Sequence, residues 1–206
     1  MEAPLHKVAI IVTRARAGGL ELLVFEHDHH SGVQIPAGSV EPGEDLVVAA
    51  KRELQEEAGL LVDELELLTS FRNDSKPDER YCVQYVPLFD APSDDASVVI
   101  DHVYRLPLRL YGENDGWADV ALIEWDLEPE PPAEISSVRG FVRSSALATW
   151  EMRHVFWCAA PPGTAEAWEQ LEEGRVFRLR WAPLDGAGLL TWQQDWIDRV
   201  RNQLPR

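Results

Sequence analysis

Residues 38–60 read GSVEPGEDLVVAAKRELQEEAGL, a glycine-containing loop that runs into an amphipathic, acid-rich segment. On a helical wheel of about 100° per residue, the side chains of Glu53, Glu56 and Glu57 fall within one arc of about 100°. The neighbouring arc carries an apolar stripe at the spacing of a sheet-packing helix, formed by Val47, Ala50, Leu54 and Ala58. The stretch therefore predicts a helix that buries one face and carries three carboxylates along its edge.

The clustered carboxylates indicate a cation site. Three like charges on one helix face repel one another, and a cation between them makes each easier to keep ionised. Oxygen ligands suit a hard ion such as Mg²⁺ or Mn²⁺. Arg52 precedes Glu53 directly and Glu56 by four residues, so we interpret it as an ion-pair partner that holds a glutamate in place. The alternative is a solvated charged helix face without a bound ion.

The same stretch resembles the Nudix box, Gly-x5-Glu-x7-Arg-Glu-U-x-Glu-Glu-x-Gly-U, in which U is an aliphatic residue. All nine defined positions match, from Gly38 through Glu44 to Gly59 and Leu60. The resemblance implies an α/β (α+β) fold, the Nudix αβα sandwich with a mixed β-sheet. It also implies an enzyme, a divalent-metal-dependent hydrolase that cleaves the pyrophosphate linkage of a nucleoside diphosphate joined to another moiety X.

The resemblance further implies roles for individual residues. The metal ligands would be Glu53, Glu56, Glu57 and the main-chain carbonyl of Gly38, with Mg²⁺ or Mn²⁺ as the cofactor. The catalytic set would be Glu53 as general base together with Arg52 and Glu56. Some family members instead use a glutamate on a distant loop, and this chain offers four near its end: Glu166, Glu169, Glu172 and Glu173. No residue is assigned to substrate binding.

The identity of X is left open by the sequence. Residues 34–38 read QIPAG, which resembles the box entry of ADP-sugar members, but Pro77 lies 17 residues beyond Leu60, close to the proline spacing of ADP-ribose members without matching it. An ADP-sugar or a nucleoside triphosphate-like substrate is therefore expected. The alternative function is a non-catalytic Nudix-fold module that binds a nucleotide or regulates; such modules commonly carry a damaged box.

Composition limits the partners. The chain has 206 residues, 45% of them hydrophobic, and a net charge of −17 from 36 acidic and 19 basic residues. Such a charge disfavours duplex nucleic acid and anionic membranes as partners. No run approaches the roughly 18 apolar residues of a membrane span, so a cytoplasmic protein is expected. Cys82 and Cys158 lie in apolar, strand-like surroundings and are predicted to be buried thiols.

The rest of the chain predicts strands and one further long helix. Two hairpins are expected, from residues 7–14 with 21–27 and from residues 104–111 with 117–125. Residues 165–173 are predicted as a short helix between Thr164 and Gly174. A final helix over residues 189–204 should pack on the sheet opposite the box helix, through Leu189, Trp192, Trp196, Ile197 and Val200.

These elements predict a single Nudix domain over residues 1–206 with a β-rich insertion at about residues 91–148. The role of the insertion is open between a cover for the sheet edge, a substrate cap and a contact in a homodimer. The run His27-Asp28-His29-His30 is interpreted as an exposed polar turn in preference to a transition-metal site, because the expected ions prefer oxygen ligands.

Overall fold

The computed structural model describes residues 4–27 and 31–205, so most of the His27–His30 run lies outside the described residues. Two α-helices are present in this part of the chain, α1 (Leu46–Ala58) and α2 (Thr191–Val200). The strands are β1 (Leu5–Arg16), β2 (Gly19–Glu26), β3 (Ala37–Ser39), β4 (Glu66–Asp74), β5 (Glu79–Cys82), β6 (Leu88–Phe89), β7 (Val98–Ile100), β8 (Pro107–Asn114), β9 (Trp117–Asp126), β10 (Ala133–Arg143), β11 (Leu147–Ala148), β12 (Trp150–Ala159), β13 (Ala167–Glu172) and β14 (Arg175–Pro183).

The chain divides into two compact units. The α/β unit comprises Lys7–Phe71, Leu127–Glu130 and residues 153–205, and the β unit comprises residues 4–6, Arg72–Asp126 and Pro131–Met152. One sheet has the strand order β13-β14-β2-β1-β12-β4, with β3 paired to β1. The other sheet has the order β11-β5-β8-β9-β10-β6-β7. Both predicted hairpins are confirmed, because β1 pairs antiparallel with β2 and β8 with β9.

Strand β1 explains the layering of the α/β unit. Its alternate residues Val8, Ile10 and Val12 pack in a core with α1, while Ala9 and Ile11 pack in a second core with α2. Side chains of a strand alternate between the two faces of its sheet, so the sheet lies between the two helices. The continuous apolar run in β1 reflects burial on both faces. The predicted αβα sandwich is therefore confirmed.

Helix α1 begins and ends at residues suited to its termini. The Asp45 carboxylate at the N-cap accepts a hydrogen bond of 2.8 Å from the Val47 amide, which satisfies one of the free donors of the first turn. Gly59 follows the last turn with φ 66°, a left-handed conformation that glycine adopts without strain. The predicted apolar stripe is buried except at Val47, which is 38% exposed; Ala49 is buried in addition.

The predicted short helix at residues 165–173 is wrong, because this segment forms strand β13 and pairs antiparallel with β14. Exposed and partly buried residues alternate along β13, the period of a strand. Glu173 and Gly174 both have positive φ, 47° and 81°. Two such residues form the tight turn of a β-hairpin, so Gly174 serves this turn and not a helix end.

The final helix is confirmed in the shorter range of α2, followed by a 3₁₀ turn at Arg201–Gln203. Trp196, Ile197 and Val200 are buried against the sheet as predicted, whereas Trp192 is 42% exposed. Neither α1 nor α2, nor any other described helix, is long and apolar enough to cross a membrane.

The two cysteines are free and buried, as predicted. Burial raises the pKa of both thiols, that of Cys158 to about 12. Since the thiolate is the reactive form, a cysteine with a raised pKa is a poor nucleophile at neutral pH. Both side chains serve as packing residues.

Strand β13 also fixes the C-terminal end of α1. The Trp168 indole Nε1–H donates to the Ala58 carbonyl at 2.9 Å. Trp168→Phe removes this donor and keeps most of the packed ring, so we expect a loss of about 1 kcal/mol in the free energy of unfolding. Urea denaturation measures it. Trp192→Phe on the exposed side of α2 is the matched control; equal losses in both variants would contradict the assignment.

Candidate metal and catalytic site

Strand β3 and helix α1 meet at Gly38. A Cβ atom at Gly38 would lie 1.9 Å from the Cδ of Glu53, too close for two carbon atoms that are not bonded to each other. The carboxylate of Glu53 therefore lies directly against the backbone at Gly38. The family resemblance implies that the carbonyl of this residue is a metal ligand. This contact explains why glycine is needed here, since any side chain would displace Glu53.

Arg52 is the centre of the site's ion pairs. Its Nε donates to Glu44 Oε1 at 3.0 Å and its Nη2 to Glu44 Oε2 at 3.0 Å, a two-bond contact. Its Nη1 donates to Glu53 Oε1 and to Glu56 Oε2, each at 2.9 Å. The remaining donor of Nη2 bonds the Ser39 carbonyl at 2.8 Å. One guanidinium thus joins the loop to three glutamates, a larger network than the single ion pair expected from the sequence.

Backbone amides of β3 hold two of the carboxylates from the other side. Ser39 N–H donates to Glu53 Oε1 at 3.1 Å, and Ala37 N–H donates to Glu57 Oε2 at 2.8 Å. The carboxylates of Glu53 and Glu57 are therefore placed by both the loop and the helix. Such double support is what holds a functional side chain in a defined position.

The electrostatics of the site are dominated by uncompensated negative charge. Burial raises the pKa of the Glu53 carboxyl, although Arg52 lowers it in part. Burial raises the pKa of Glu57 well above its ordinary value, with the Ala37 amide as the main opposing contact. Arg52 pairs with Glu44, Glu53 and Glu56, and the charge of Arg175 lowers the pKa of Glu57, so four carboxylates stand against two positive charges. The site would be stabilised by added positive charge.

The donor set fits a hard divalent ion, and Glu53 and Glu56 form ion pairs with Arg52. Within residues 4–27 and 31–205, no three His, Cys, Asp or Glu side chains converge closely enough to hold a metal ion. Arg52 engages Glu53 and Glu56, which accounts for their present positions. The excess of carboxylate oxygens and the close approach of Gly38 are the features that fit Mg²⁺ or Mn²⁺.

An open groove of about 450 Å³ borders the network in the α/β unit. Arg52, Glu56 and Gly59 line it from α1 and the residue that follows, and Gln170 and Glu172 line it from β13. The sequence did not identify Gln170 as a groove residue, because a helix was predicted in place of β13. Apolar and polar residues do not alternate along residues 167–172, so the sequence carried no strand signal that could have found it.

A family model of the Nudix domain matches residues 4–203. This chain belongs to the Nudix family. It is a hydrolase of the pyrophosphatase type, as predicted from the intact box. No curated protein sequence matches it significantly.

Two solved structures are similar to this chain. The Nudix domain of Shewanella oneidensis NrtR, complexed with ADP ribose, is similar at 12% identity and a TM-score of 0.52, with 100% of this chain and 91% of that chain covered. The Ap4A hydrolase of C. elegans is similar at 14% identity and a TM-score of 0.42, covering 98% of this chain and 96% of that chain. At 12% identity, the likeness to the NrtR domain concerns the fold alone.

The four glutamates considered as alternative general bases in this Nudix chain have different surroundings. Glu166 forms ion pairs with Arg14 and Arg16, and Glu169 lies 3.5 Å from Arg178. Glu173 occupies the hairpin turn. Glu172 alone of the four lines the groove beside Glu56.

Proposed function

We propose that this Nudix hydrolase depends on Mg²⁺ or Mn²⁺ and cleaves the pyrophosphate linkage of a nucleoside diphosphate joined to a moiety X. The observation that carries the proposal is the excess of carboxylates around Arg52, beside an open groove. An anionic diphosphate would be repelled by these carboxylates alone. Divalent ions would allow an anionic substrate to bind at an acidic site, because they neutralise the negative charge of both the carboxylates and the diphosphate.

The carboxylates of Glu53, Glu56 and Glu57 and the Gly38 carbonyl would hold the ion. When bound, it would neutralise phosphate charge and lower the pKa of an attacking water. Glu53 is the proposed general base, since burial raises its pKa and a carboxylate of higher pKa is a better proton acceptor. Arg52 positions Glu53 and Glu56 through its hydrogen bonds. The reaction would yield two phosphorylated fragments without a covalent intermediate.

The substrate class we propose is an ADP-sugar or a nucleoside triphosphate-like compound. The NrtR Nudix domain was crystallised with ADP ribose, which makes this compound a natural first substrate to test. The net charge of −17 supports the exclusion of duplex nucleic acid and anionic membranes as partners. A cytoplasmic location stays a prediction from the sequence.

The test is hydrolysis by purified protein with Mg²⁺ or Mn²⁺, using ADP-ribose, other ADP-sugars, nucleoside triphosphates and dinucleoside polyphosphates. Product masses identify the bond that breaks, and ¹⁸O-labelled water identifies the phosphorus attacked. Glu56→Gln should lower turnover about a hundredfold or more while the fold is retained. The matched control is Glu66→Gln, an exposed glutamate at the start of β4. Undiminished activity of Glu56→Gln would contradict the proposed metal and catalytic site.

Calorimetry in Mg²⁺ measures nucleotide binding separately from turnover. Binding of these compounds with no product formed over hours would contradict the proposed reaction.

A further inference from the structure

Strand β10 has a free edge. Residues 133–139 are all exposed, and within the described chain their only strand partner is β9. On its other side β10 pairs with β6 at Phe141 alone. A strand edge without a partner presents backbone donors and acceptors to which another strand can pair.

This edge lacks two of the residue types that usually prevent strand pairing. Its sequence, AEISSVR, contains neither lysine nor proline, the residues that commonly block exposed edges. Ile135 and Val138 are 46% and 39% exposed. The edge therefore combines free backbone groups with exposed aliphatic side chains.

The register of β10 gives the edge a self-complementary charge pattern. Glu134, Ser137 and Arg139 lie on one face of the sheet, because their partners on β9 are alternate residues of that strand. The irregularity between Glu134 and Ser136 brings Glu134 to this face; in an unbroken strand it would share the opposite face with Val138. An acidic and a basic residue thus flank Ser137 on the same face.

We propose that the free edge of β10 pairs with the same edge of a second copy of this chain, antiparallel and centred on Ser137. About this two-fold axis, Ser137 lies opposite the partner's Ser137. Ile135 has no partner in the register with β9 and is the extra residue of the irregularity, so Glu134 and Arg139 each lie two register positions from Ser137. Arg139 then lies opposite the partner's Glu134, and Glu134 opposite the partner's Arg139. Opposite charges directly across an antiparallel pair are stabilising, and like charges are destabilising. The two sheets become one continuous sheet across the dimer.

The charge balance of the surrounding face favours a second copy as the occupant. Two chains of net charge −17 repel each other over most of their surfaces. Here, Arg109 bonds Glu134 at 2.9 Å and Arg139 bonds both oxygens of Asp119 at 2.7 and 2.8 Å, so the charges are matched locally. Both guanidiniums also lie over rings, those of Trp125 and Tyr111. Arginine, tryptophan and tyrosine are the residue types that contribute most at protein interfaces.

The experiment is sedimentation velocity on the full-length protein over a wide concentration range, with circular dichroism to confirm folding. The wild type is expected to form dimers. Glu134→Lys and Arg139→Glu should each be monomeric, because each places like charges across both ends of the contact. An equimolar mixture of the two variants should dimerise again, since the mixed pair carries only opposite charges across the axis.

Two lysine variants test the edge without altering the charge pair. Val138→Lys is expected to be monomeric, since an edge lysine blocks strand pairing. The control is Leu67→Lys, an exposed aliphatic residue of β4, the terminal strand of the other sheet, which should remain dimeric. A monomeric wild type would overturn the proposal, as would charge variants that stay dimeric or a mixture that stays monomeric. A monomeric Leu67→Lys would move the contact to β4 and equally overturn it.

Discussion

Replacement of Gly38 by alanine is expected to lower kcat/KM by about a hundredfold or more, the loss typical of catalytic groups misplaced by about 1 Å. The new methyl group would occupy the position of the Glu53 carboxylate. Glu53 would then leave its hydrogen bonds with the Ser39 amide and Arg52. Both the proposed base and the loop that faces it would move.

The matched control is Gly18→Ala in the turn between β1 and β2, where a Cβ would meet nothing within 4 Å. Steady-state kinetics with Mg²⁺ compare the two variants, and thermal unfolding shows that both fold. Wild-type activity in Gly38→Ala would contradict the contact between Gly38 and Glu53.

Glu57→Gln is expected to lower turnover about a hundredfold or more and to stabilise the metal-free protein at neutral pH. Burial raises the pKa of Glu57 in the folded state well above the ordinary value of 4.5. A group with a raised folded pKa destabilises the fold increasingly as pH rises from its unfolded pKa towards its folded pKa. Glutamine carries no such penalty and can still accept the hydrogen bond from the Ala37 amide.

Thermal unfolding between pH 4.5 and pH 8, with a chelator and then with Mg²⁺, measures both effects. The wild type should lose stability relative to Glu57→Gln as pH rises without metal, and Mg²⁺ should stabilise the wild type much more than the variant. Glu66→Gln should follow the wild type throughout. Equal stabilisation of wild type and Glu57→Gln by Mg²⁺ would contradict the proposal that Glu57 binds the metal ion.

The helix and its acidic face could be predicted because their pattern is local. The stripe of Ala50, Leu54 and Ala58 and the arc of glutamates depend only on helical geometry, and both are present in α1. The contacts of Arg52 with Glu44 and Ser39 could not be predicted. They depend on the path of the loop from β3, which brings residues eight and thirteen positions away against one guanidinium.

The strands β10 and β13 could not be predicted from the sequence pattern. Residues 133–139 are exposed on both faces, and their alternation of apolar and polar side chains is short and breaks at Ser137. For residues 165–173, Thr164 and Gly174 were interpreted as the two ends of a helix, whereas the Glu173-Gly174 turn and pairing with β14 determine a hairpin. In β13, long-range pairing overrides local propensity.

The double burial of β1 has a consequence for how this molecule tolerates change. Ile10 and Val12 lie in the layer beneath α1, and Ile11 in the layer beneath α2, each with no exposed surface. A larger or smaller side chain at Ile10 would shift the level at which α1 rests and so alter the distance between its acidic edge and the Gly38 loop. The dimensions of the candidate catalytic pocket thus depend on the volume of buried aliphatic side chains that do not contact a substrate.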